Sequence, residues 1–79
     1  MTAKLLPWGA DAEVYGEAAG LALNGRVLDL VVTHCRNGKF DWEVVDVSEV
    51  IAHGITAKAS DARREAENAG LRALLSVID

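Results

Sequence analysis

The sequence predicts an α+β domain, a three- to four-stranded antiparallel sheet with a C-terminal amphipathic helix packed on one face. Three observations lead there. Residues 60–77 set small side chains on one arc at helical spacing. Residues 27–35 and 39–47 carry β-branched and alternating apolar residues on either side of Asn37-Gly38. A chain of 79 residues has room for one domain, here residues 1–79, and Pro7 marks residues 1–9 as an irregular N-terminal segment.

The helix is the clearest element. Ala59, Ala62, Ala66, Ala69, Ala73 and Val77 fall on one arc with Gly70 beside them, and Asp61, Arg64, Glu65, Asn68 and Arg72 lie opposite. Ser60 stands where an N-cap belongs, followed by Asp61 at the positive end of the helix dipole. Small side chains let the helix axis approach the sheet closely, so the large core groups must come from the strands. Towards the C-terminus Leu71, Leu74, Leu75 and Ile78 widen the apolar arc past half the circumference. One sheet face cannot cover that width. The cover must come from Leu5, Leu6 and Trp8, or from another chain.

Residues 27–35 and 39–47 form a hairpin, and the faces decide its loop. A two-residue Asn37-Gly38 turn would set Phe40, Trp42 and Val44 beside Asp29, Val31, Thr33 and Cys35. A three-residue loop, Arg36-Asn37-Gly38 with Gly38 left-handed, sets them beside Leu28, Leu30, Val32 and His34. The second gathers the large apolar groups on one face and leaves Asp29, Thr33, Asp41 and Glu43 on the other, so it is preferred. A third strand, residues 50–56, follows a turn at Ser48-Glu49. Gly54 within it signals a bulge or a close approach of the helix, and Ile51 and Ile55 are its expected inward residues. Residues 10–25 fit two readings. As a strand, Tyr15, Glu17, Ala19, Leu21 and Leu23 alternate towards an Asn24-Gly25 turn; as a helix, Ala10, Val14, Ala18 and Leu21 share a face. The strand is the reading adopted.

Two resemblances attach to these elements. Trp42-Glu43-Val44 on a strand, a later strand holding Gly54, and Ala62-Arg63-Arg64-Glu65-Ala66-Glu67 on a helix resemble a type of small uncharacterised bacterial sheet-plus-helix protein. No activity travels with that likeness. A helix over residues 10–24 would give the order α-β-β-β-α, which resembles the double-stranded RNA-binding domain, and Arg63-Arg64-Glu65-Ala66-Glu67 would stand at its basic stretch. That resemblance implies duplex binding through Arg36, Lys39, Lys58, Arg63 and Arg64. Asp61, Glu65 and Glu67 are interleaved with those cations, and the net charge is −4. Both weigh against attraction to phosphate.

The polar residues supply no constellation for catalysis. His34 and Cys35 are adjacent on a strand and point to opposite faces, so a zinc site would have at most His34 and His53. Cys35 has no neighbour that would activate it beyond Arg36. Asp41 and Glu43 alternate on what reads as the wet side of a strand, and the glycines match no phosphate loop. A single cysteine and the absence of an export or membrane-spanning run point to a cytoplasmic chain without disulfide, membrane contact, metal or cofactor. The expectation is a non-enzymatic module that binds another protein or a second copy of itself. Trp8, Leu71, Leu75 and Ile78 are its contact residues. Nucleic-acid binding is the alternative.

Overall fold

A helix whose buried face is alanine and glycine can pack only on strands that supply the bulk, and the strand order follows from that need. The computed structural model describes residues 3–76. Strand β1 (Lys4–Asp11) leads through one 3-10 turn (Ala12–Val14) to β2 (Gly16–Leu23), then β3 (Arg26–His34), β4 (Phe40–Asp46), β5 (Glu49–Thr56) and helix α1 (Ala59–Leu75). The sheet has five strands in the order β1-β2-β3-β4-β5, each antiparallel to its neighbour. The fold class is as expected, and the sheet is wider than the three to four strands expected.

The extra strand comes from residues 4–11. Pro7 argued against regular structure there, yet β1 lies at the sheet's edge, where a missing N–H is tolerated. Leu6 pairs with Gly20 and Gly9 with Ala18, so Pro7 and Trp8 together face Ala19 in a bulge. Residues 10–24 are therefore the end of β1, the 3-10 turn and β2, followed by an Asn24-Gly25 turn with both residues left-handed, φ 53° and 80°. The α-β-β-β-α order is not the order of this chain.

The β3–β4 hairpin has the expected three-residue loop. Cys35 N–H donates to Lys39 C=O at 2.9 Å, Gly38 has φ 78°, and Val32 pairs with Trp42 and Leu30 with Val44. Leu28, Leu30, Val32 and Val44 are wholly buried under the helix, each stabilising the fold by about 1.5–3 kcal/mol relative to exposure. Ala62, Ala66, Ala69, Gly70 and Leu74 meet them from α1. A Cβ on Gly70 would lie 3.0 Å from a Leu21 methyl and 3.2 Å from one of Leu30, which measures how close the helix sits.

Four details differ from expectation. The β4–β5 turn is Val47-Ser48, with Asp46 opposite Glu49. Ile51 and Ile55 point away from the helix, 37% and 65% exposed. The cause is pairing: Trp42 is opposite Gly54 and Val44 opposite Ala52, so β5 turns its smallest residues inward beneath a large indole. Gly54 thus marks the close approach of Trp42 rather than of the helix, for a Cβ there would lie 2.6 Å from Trp42 Nε1. The helix cap also lies two residues earlier than expected. Lys58 occupies the N-cap without a side-chain hydrogen bond, and its C=O accepts from Ala62 N–H at 3.1 Å and from Thr56 Oγ1 at 2.7 Å. Ser60 is therefore inside the first turn.

Candidate functional site

Three regions hold the residues singled out from sequence, and they differ in how far the chain's own packing uses them. At the C-terminal half of α1, Leu74 is buried, while Leu71 and Trp8 are partly buried against the core. Trp8 comes from the β1 bulge, whose extra residue turns its side chain to the helix side, and Nε1 donates to Glu67 Oε2 at 2.6 Å. Trp8 thus meets the helix at Glu67, while Leu5 and Leu6 stay 40% and 41% exposed. Leu75 remains 57% exposed. Val77 and Ile78 lie outside the described residues.

The second region is the end of the sheet where β2 begins and β3 ends. Tyr15 is left-handed at φ 54° and 80% exposed, and its C=O accepts from His34 N–H at 3.1 Å. Arg63 Nη1 donates to both oxygens of Glu17, at 3.0 and 2.8 Å, with His34 Nε2 at 3.8 Å from Glu17 Oε2. His34 meets the ring of Phe40 edge-on, centroids 4.9 Å apart. A shallow depression of about 520 Å³ is lined by Tyr15, Thr33, His34, Cys35 and Arg36. The Cys35 thiol is held above its ordinary pKa, first by its hydrogen bond with Asp41 and then by burial.

The five cations of the duplex-binding alternative gather near this same end. Thr56 is opposite Phe40, which brings Lys58 near the Arg36–Lys39 loop, and α1 starts there. Two of them already have partners, Arg63 with Glu17 and Arg64 with Asp61 at 2.9 Å. His34 and His53 do not meet, because His34 faces the helix side on β3 whereas His53 is opposite Glu43 on the other face. Among the described residues no three His, Cys, Asp or Glu side chains gather closely enough to hold a metal ion. No described helix is long and apolar enough to cross a membrane.

The third region was only partly visible in the sequence: the sheet face turned away from α1, and the edge beside it. Cross-strand partners share a face, so Ala18, Val31, Glu43 and His53 form one row across it, with Asp29, Val45 and Val50 in the next. The bulge between Val44 and Val45 adds Ile51 to that side. Val27, Val50, Ile51 and Ile55 are 50%, 47%, 37% and 65% exposed. A depression of about 210 Å³ lies between Asp41, Glu43, His53 and Ile55.

The edge itself can be phased. Hydrogen-bonded and non-bonded pairs alternate along an antiparallel ladder. Starting from the bonded pair Cys35–Lys39, Asp41 and Glu43 bond to β3, and Phe40, Trp42 and Val44 bond to β5. Their partners Thr56, Gly54 and Ala52 are engaged with β4. His53 and Ile55 therefore direct their N–H and C=O groups outward, and no described backbone group pairs with them there. The sequence pattern does not reveal this edge, because Ile51 and Ile55 read as inward residues.

Comparison with known families, with curated proteins and with solved structures finds no match to this chain.

Proposed function

We propose that this chain is a non-enzymatic interaction module that binds protein, either a second copy or a different chain. The observation that carries the reading is the β5 side of the sheet, unpartnered among the described residues, with outward backbone groups at His53 and Ile55 and exposed Val50, Ile51 and Ile55 beside them. Small domains keep apolar groups and free strand edges together mainly where another chain covers them. Leu75 adds a second exposed apolar group at the helix end, flanked by the half-buried Leu71. The pairing of Arg63 and Arg64 with carboxylates favours this reading over phosphate binding.

The experiment is sedimentation equilibrium of the full chain from roughly 10 to roughly 500 μM, where association must grow by mass action. An average mass that rises above 8.4 kDa with concentration is expected if the partner is a second copy. Mass constant at the monomer value across the range removes self-association from the reading.

A further inference from the structure

We infer that the partner is a second copy of this chain, joined through an antiparallel pairing of β5 with β5 across a twofold axis. This rests on the interaction-module reading and narrows it to one edge and one occupant.

The pattern of β5 is self-complementary. The outward donors and acceptors at His53 and Ile55 allow three twofold registers, with His53 opposite itself, His53 opposite Ile55 or Ile55 opposite itself, and the first two pair more of β5. In those two registers Glu49, the one acidic residue of β5, lies near Lys58 of the second copy, since these charges flank the paired segment at opposite ends. Opposite charges near one another across paired strands favour the pairing, and like charges directly opposite would oppose it. No like-charged carboxylates or ammonium groups are brought opposite each other on the edge. On the face away from the helix, Ile55 gains a neighbour in Ile51 or His53 of the second strand. On the helix side, Ala52 and Gly54 present little bulk to obstruct approach.

Stacking the open faces instead would bring Asp29, Asp41 and Glu43 of one copy against a face that carries the same three carboxylates, which like-charge repulsion disfavours. The pairing also closes. An isologous contact uses the same patch on both copies, and the outer edge of β1 is interrupted by Pro7 and its bulge, so growth stops at two chains and one ten-stranded sheet, five strands from each.

The test uses three substitutions in the full chain. Ile55→Pro removes an outward N–H and none engaged with β4, so the fold persists, as an amide NMR spectrum checks. Ile55→Lys keeps that N–H and places a charge on the edge. Leu75→Ser leaves the edge untouched. The expected result is a dimer whose dissociation constant rises at least about tenfold with either change at Ile55 and less than about twofold with Leu75→Ser. In the unaltered chain, exchange of the His53 and Ile55 amides should slow as concentration rises. A dimer that survives both Ile55 changes, or yields to Leu75→Ser alone, overturns the edge pairing and leaves self-association standing. A monomer at every concentration, with concentration-independent exchange at His53 and Ile55, overturns both. Should Ile55→Pro unfold the chain, Ile55→Lys decides.

Discussion

The two edges of this sheet, β1 and β5, are built in opposite ways. Each is keyed to its inner neighbour by a large side chain lying over a glycine. At β1 the edge strand supplies the large group, Leu6, whose Cδ1 would sit 2.8 Å from a Cβ on Gly20. At β5 the edge strand supplies the glycine, and Trp42 of β4 lies over Gly54. The outer sides differ too. β1 carries Pro7 and a bulge and is fastened to α1 by the hydrogen bond from Trp8 to Glu67. β5 is regular from Ala52 to Thr56, has no proline, and is fastened by the two residues that lead directly into α1. Edge position alone therefore does not make a strand available. β1 is blunted by its own sequence, whereas β5 keeps its outward groups free because a covalent connection does the fastening.

The largest effect should come from the glycines. Gly54→Ala drives a methyl into the Nε1–Cζ2 edge of a rigid, buried indole, and overpacking of that kind should cost about 2–3 kcal/mol. Gly20→Ala meets the far end of a flexible leucine that is 41% exposed and can swing away, so its cost should stay below about 1 kcal/mol. Urea denaturation of the two variants checks the ranking. Equal losses would mean that the edges are keyed alike.

That glycine also shows what the sequence could and could not disclose. Alternation along β3 and β4, with Asn37-Gly38 between them, was enough to set the hairpin's register, because a slip would have sent Leu28, Leu30 and Val32 away from Trp42 and Val44. The alanine arc was enough to place the helix. Ile51 and Ile55 misled for a physical reason: large aliphatics are ordinarily inward, but here the indole of Trp42 takes the volume and leaves Gly54 and Ala52 beneath it. Only cross-strand pairing reveals that exchange. Pro7 misled similarly, since a bulge at an edge absorbs a residue that a central strand could not. The outward side of β5 was therefore hidden by one local rule and strand β1 by another, and tertiary packing overrode both.

A second contrast concerns the tryptophans. Trp8 Nε1 donates to the Glu67 carboxylate, while the buried Trp42 Nε1 has no hydrogen-bond partner among the described residues. Trp8→Phe should therefore cost about 1.5 kcal/mol, most of it from the lost charge-assisted hydrogen bond, which is only partly buried. Glu67→Gln keeps an acceptor but removes its charge and should cost less than Trp8→Phe. Trp8→Phe should also speed amide exchange in β1 more than in β5, because the hydrogen bond fastens that edge specifically. Uniform acceleration across the sheet would show that Trp8 supports the core at large rather than one strand.

The smallest effect, and a gain, is expected at the turn that feeds β5. The Asn24-Gly25 turn holds left-handed conformations with residues suited to them, but Val47 holds φ 63° with a β-branched side chain that is 89% exposed. Nothing in the packing of so exposed a side chain offsets its strain. Val47→Asn should raise stability by about 1 kcal/mol, seen as a higher thermal midpoint. It touches neither Trp42 nor the outward groups of His53 and Ile55. Folding stability should therefore rise while the dimer dissociation constant stays within about twofold of the unaltered chain. A gain in stability that also tightens association would mean that fraying of the β4–β5 hairpin, and not the edge pattern itself, limits how readily β5 pairs.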